Sequence, residues 1–134
     1  MNIRTQDGDA AQARNRLQSA QAYLQVAEMV AEDDSDDALR GVAAGLAVLA
    51  GIAASDAVCC AALGRRSRGD NHKDAVKILG SISEEAKLAA TSLRRLIDIK
   101  DQAHYGFTTV SAQTRTTSLN AARKVVAFAE QTVA

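Results

Sequence analysis

Composition and periodicity predict an all-α fold for this chain: an antiparallel up-and-down bundle of four long helices plus one short helix. Three observations carry that expectation. The 134 residues include no proline, and good helix formers dominate the rest. Aromatic residues make up only 3%, too few for a sheet sandwich or a base-stacking platform. Apolar residues recur at helical spacing in every long stretch, with turn signals between them. The length suits one continuous core, so residues 9–134 read as a single domain behind a polar N-terminus, 1–8, expected to fray.

The first helix is predicted to open at Asp9, which with Gln12 resembles a capping box, and to run to about Asp33. Ala13, Leu17, Ala20, Leu24, Ala27 and Ala31 then fall on one face. The acidic run from Glu32 to Asp37 forms the turn that follows. Ser35 is expected to cap the next helix, with Asp36 and Asp37 at its positive end, and capping outweighs a metal-binding reading of these acids.

The chain is organised around that next helix, Ala38 to Leu63 (ALRGVAAGLAVLAGIAASDAVCCAAL), which is apolar on nearly every face. Such a helix is buried on all sides, in a protein core or in a membrane. Its Ala and Gly residues supply little transfer energy, and Asp56 in mid-helix adds about 2.5–3.5 kcal/mol against insertion. Other stretches carry apolar stripes that need covering, so a soluble central helix is the expectation and no membrane partner is. Gly64 ends it. After GRRSRGDN, Asn71 caps a short helix from His72 to about Leu79. Ser81 and Glu84 are spaced as a capping box, with Ser83 as a competing cap, for a long helix to about Tyr105. Its inward face reads as Leu88, Ala89, Ser92, Leu96, Ile99 and Ala103, and Gly106 is expected as a left-handed C-cap. Ser111 caps the last helix, with Leu119, Ala122, Val126, Ala129 and Val133 on its apolar face.

Sixteen basic and sixteen acidic residues cancel, so any contact with a polyanion must come from a local patch. Cys59 and Cys60 are neighbours on a helix and point about 100° apart, badly placed to bridge each other. They read as small buried hydrophobes in a reducing compartment. MNIRTQDGD lacks the apolar segment of a signal peptide, and a cytoplasmic location is expected.

Three stretches carry candidate chemistry. Arg65, Arg66 and Arg68, extended by His72 and Lys73, supply cations beside glycines near a helix start, a pattern that can hold phosphate. Asp56 is a carboxylate on an apolar helix and needs a partner: an arginine or lysine from a neighbouring helix, water at a bundle end, or a functional cleft. Lys100 and His104 are four apart, on one face, and can meet one anion, with Tyr105 beside them. His104 is the residue type suited to general acid or base work, although a histidine at a helix end also suits the dipole there. No zinc-ligand spacing, Walker loop, dinucleotide fingerprint or nucleophile elbow is present, so no metal and no cofactor is expected.

AAGLAVLAGIAASDAVCCAALG leads into GDNHKDAVKIL, then LRRLIDIK (93–100), AHYG (103–106), and a final helix with AAR (121–123) and AFA (127–129). In that order of features the chain resembles the HEPN family over about residues 10–133. The resemblance implies a helical bundle that dimerises and works in toxin–antitoxin, RNA-processing or nucleotidyltransferase-associated systems. Active members cut RNA without metal, using an arginine followed after four to six residues by a histidine. With His104 as that histidine, the arginine belongs at 97, 98 or 99, where this chain has Ile97, Asp98 and Ile99. Arg94 and Arg95 are too far back, and Lys100 is too near and lacks the bidentate fork. The expectation is therefore a nucleotide-, RNA- or partner-binding module, weakly catalytic or inactive. The alternatives are a metal-independent ribonuclease using His104 with Lys100 or loop arginines, and a structural antitoxin-like subunit. A homodimer is expected as well, since an Ala-rich core is thin and leaves apolar stripes to cover.

Overall fold

A computed structural model describes residues 3–68 and 71–134. It is an all-α bundle: α1 (Ala10–Ala31), α2 (Asp37–Leu63), α4 (Glu84–Tyr105) and α5 (Ala112–Thr132) are long, and α3 (His72–Gly80) is short. Two three-residue strands, β1 (Thr5–Asp7) and β2 (Arg65–Ser67), pair antiparallel with Thr5 opposite Ser67 and Asp7 opposite Arg65.

Most helix starts follow from side-chain caps. Asp9 accepts from the Gln12 amide at 2.8 Å while the Gln12 side chain accepts from the Asp9 amide at 2.9 Å, completing the capping box. Asn71 and Ser111 cap α3 and α5 as expected. At α2 the cap is Asp36, which accepts from the Ala38 amide at 2.8 Å, and not Ser35. Ser35 is already committed, because both its amide and its hydroxyl donate to Asp33 Oδ1. At α4 Ser83 is the cap, its hydroxyl accepting from Ala86 at 3.0 Å, while the Ser81 hydroxyl donates back to Ile78.

α2 lies in contact with α1, α4 and α5, and its fully buried residues include Ala43, Ala44, Ala47, Val48, Ala50, Ala53, Ala54, Ala57 and Val58. Among the described residues it is the one helix long and apolar enough to cross a membrane, but most of it is buried inside the bundle. α4 runs antiparallel to α2, with His104 beside Gly45 and Leu96 beside Gly51. At Gly51 a Cβ would lie 2.3 Å from Leu96 Cδ1, so the missing side chain is what lets Leu96 reach the α2 backbone.

Several expectations are corrected. Residues 5–8 do not fray: β1 pairs with β2, Gly8 N–H donates to Gly64 C=O at 3.0 Å, and Gly8 packs over the Cys60 thiol. Gly64 makes this possible, since at φ 68° it ends α2 in the left-handed region and turns the chain back toward β1. Gly106 does cap α4, but with φ −69° and ψ 146°, extended and not left-handed. A Cβ there would stand 2.4 Å from Gln102 O, so close approach is what this glycine permits. Leu88, expected inside, is 74% exposed, while Leu93 is fully buried. The buried arc of α4 is turned toward Ala86, Ala90 and Leu93 because α3 packs on that side, Gly80 lying against Ala90.

Candidate anion-binding cleft

The five loop and α3 cations separate by strand pleat and helix face. Arg66 is half-buried and turned inward, Nη1 donating to Ser67 O at 3.3 Å and Nη2 to Gln6 Oε1 at 3.2 Å. Arg65 and Arg68 are exposed, and the Arg68 amide extends the strand pair by donating to Arg4 O. Gly69 and the Tyr105 side chain lie outside the described residues.

Asp56 has the arginine partner that a carboxylate on an apolar helix requires. Its Oδ2 is 3.1 Å from Arg16 Nη2 of α1, and its side chain is 15% exposed. Burial pushes the carboxyl above its ordinary value of 3.8, and the opposing pull of Arg16, Arg66 and His72 only offsets part of that shift. Burial likewise raises Cys59 to about 12 and Cys60 upward, so both free thiols are held protonated. The acidic turn is drawn into ion pairs: Asp34 meets Arg115 at 2.9 Å and Arg40 at 3.5 Å, and Asp37 meets Arg40 at 2.5 Å. Among the described residues no three metal-ligating side chains gather.

His104 Nε2 lies 3.2 Å from Gly45 O, its ring seated where a Cβ at Gly45 would come within 2.9 Å. Asp56, on which the Arg66 charge acts, is three turns further along α2, about 16 Å at 1.5 Å per residue. His104 and the arginines of the Arg65–Ser67 strand are therefore not one site. Part of the basic segment does reach α4. Two adjoining hollows, about 160 Å³ and 320 Å³, run between α3 and α4. In the first, Lys73, Val76 and Lys77 face Arg94, Ile97 and Asp98. In the second, Asn71, His72 and Lys73 face Ile97, Asp98, Lys100 and Asp101. Arg65, Arg66, Arg68 and His104 line neither.

The cleft has a repeated plan. Each helix contributes residues at i, i+3 and i+4: an aliphatic side chain in the floor (Val76, Ile97) with ionic side chains on either side. Among the described lining residues, Lys73, Lys77, Arg94 and Lys100 give four cations against the two carboxylates of Asp98 and Asp101, an excess of two in a chain of zero net charge. Lys77 is not among the sequence candidates, and Arg94 enters there only as an arginine too far back from His104. The matching spacing of KDAVK and RRLID was a visible signal, but the packing of α3 on α4 was needed to join them. Compared with known proteins, the chain matches no protein-family model and no curated protein.

Proposed function

We propose that the chain is a HEPN-like module that binds RNA or a nucleotide through the α3–α4 cleft and has little or no catalytic turnover. The observation that carries the reading is the cation excess among the described lining residues of the cleft, over an aliphatic floor. Lys73, Lys77, Arg94 and Lys100 supply phosphate contacts, Val76 and Ile97 an apolar bed for the sugar or base, and Asp98 an acceptor for a hydroxyl. The order of sequence features from the Ala-rich helix to AHYG supports the family reading. Weak catalysis follows from Ile97, Asp98 and Ile99 standing where the family's arginine belongs, and from His104 being engaged with the Gly45 carbonyl. Two buried protonated thiols suit a reducing compartment, which favours the cytoplasm.

Fluorescence anisotropy with a labelled single-stranded RNA tests this. The logarithm of the affinity should fall linearly with the logarithm of salt, because phosphate contacts displace counterions. K73A/K77A/R94A should weaken binding and flatten that slope by about 2, at about 0.7 for each lost contact on a single strand. R65A/R68A should change it far less, since neither side chain lines the cleft. Binding that ignores salt, or a triple variant that binds as the native chain does, overturns the reading. A second reading, a metal-independent ribonuclease using His104 with Lys100, gains support only from cleavage that persists with chelator and disappears in His104→Ala. Absence of both binding and cleavage leaves an antitoxin-like or nucleotidyltransferase-associated protein partner as the function.

A further inference from the structure

α5 packs on α1, α2 and α4, whereas among the described residues α1 and α4 flank α2 without packing on each other. The gap between them leaves part of α2 open near its start. Val42 is 48% exposed there, and Leu46 and Leu49 are half-buried. These three stand at i, i+4 and i+7, on one face and over about 10 Å of the helix axis. On α1, Val26 and Val30 lie about 160° around the helix from Glu28, which meets Arg123 of α5, so they edge the gap on the side away from α5. Toward α4, Val42 shares a hollow of about 330 Å³ with Ala103 and with Phe107, which is fully exposed.

One end of this apolar groove is acidic. Asp37 lines the same hollow, and the turn before it carries Glu32, Asp33, Asp34 and Asp36. Arg40 and Arg115 pair with Asp34 and Asp37. Glu32, Asp33 and Asp36 are exposed and, among the described residues, in no ion pair. Hydrogen bonds from Ser35 hold the Asp33 carboxyl below its ordinary value of 3.8, which keeps it charged.

We propose that this groove receives an amphipathic helix of a different protein, its aliphatic stripe on α2 and a lysine- or arginine-rich end over the acidic turn. The open side of one helix between two helical walls is the shape an incoming helix fills, with its apolar anchors set against Val42, Leu46 and Leu49. Charge selects the occupant. Three unpaired carboxylates at one end attract a cationic segment, steer its approach and repel a polyanion. The hollow beside Val42 shares no residue with the α3–α4 cleft, so the failure of either reading leaves the other standing.

Fluorescence anisotropy of the full chain with two labelled synthetic peptides tests the proposal. Both are helical peptides of about 18 residues with leucines at i, i+4 and i+7; one ends in lysines, the other in glutamines at the same positions. The lysine peptide should bind the native chain at least about tenfold more tightly than the glutamine peptide, and added salt should narrow that difference. Val42→Asp should weaken the lysine peptide at least about tenfold with helical circular dichroism unchanged, whereas Leu88→Asp, on another face, should leave it unaffected. E32Q/D33N/D36N, in which asparagine still caps α2, should bring the lysine peptide down to the glutamine peptide's affinity, and it decides the matter alone if Val42→Asp loses helicity. A native chain that binds neither peptide or both alike, a folded Val42→Asp that binds as the native chain does, or equal loss in Leu88→Asp overturns the proposal. So does a native dimer that Val42→Asp makes monomeric, which would assign the groove to a second copy.

Discussion

Asp56 and Arg16 hold opposite charges 3.1 Å apart, yet the carboxyl is shifted toward its protonated form, because burial outweighs the ion pair. The folded state therefore holds a proton on Asp56 at pH values where the unfolded chain has released it. Between the ordinary value of 3.8 and the raised folded value, the contribution of Asp56 to stability falls as pH rises, then levels off. In urea denaturation from about pH 4 to pH 7, the native protein should lose stability relative to Asp56→Asn across that window. Arg16→Leu should extend the window to higher pH, since it removes the main attraction for the charged form and raises the folded value further. Gly51 offers a test of sign. Alanine usually stabilises a helix interior relative to glycine by about 0.5–1 kcal/mol. Here a Cβ would meet Leu96 Cδ1 at 2.3 Å inside the core, so Gly51→Ala should instead destabilise by about 1–3 kcal/mol, read from the urea midpoint.

Among the elements, the strand pair depends on Gly64. An L-residue there would have to keep φ 68°, at a cost of about 1–2 kcal/mol. Gly64→Ala should lower stability by that amount, and hydrogen exchange should quicken first at the Gly8 amide, which donates to the Gly64 carbonyl. The helices were legible in the sequence wherever one cap residue had one local job, as at Asp9, Asn71 and Ser111. Legibility failed where a tertiary neighbour decided the outcome. Nothing near Thr5 or Arg65 announces a strand, because the partner is about sixty residues away and the pairing exists only after α1 and α2 have packed. Leu88 fits an apolar stripe on its own helix, but α3 rotates that stripe away from it. The cleft was half legible for the same reason: His72, Lys73 and Lys100 stood out as charges, whereas Lys77 and Arg94 joined them only through packing.

At the scale of the molecule, one Ala-rich helix sets the spacing of all its neighbours. Small side chains on α2 let α1, α4 and α5 approach closely, and the core that results is thin in large residues: Leu79, Leu93 and Leu96 are its largest fully buried side chains. A thin core leaves apolar residues outside, and Leu88 stands exposed on one side of α4 while the charged cleft opens on another. The two faces are predicted to act independently. K73A/K77A/R94A should leave the sedimentation of the chain unchanged, and E85K should leave unchanged any salt slope that the α3–α4 cleft produces, because the groove that Glu85 and Leu88 line shares no residue with the cleft.

The central position of α2 also has a consequence in time. On a ribosome α1 is finished before α2, but α4 and α5 do not exist when Leu63 is made. At roughly 5–20 residues per second, seconds pass before α5 can cover its share of the helix. Through that interval the unfinished chain displays a stretch with the length and hydropathy of a membrane span. The carboxylate of Asp56 opposes insertion by about 2.5–3.5 kcal/mol. The group that burial disfavours in the finished fold is thus the one that raises the cost of inserting this stretch into a bilayer, and Asp56→Leu would lower that cost for the incomplete molecule.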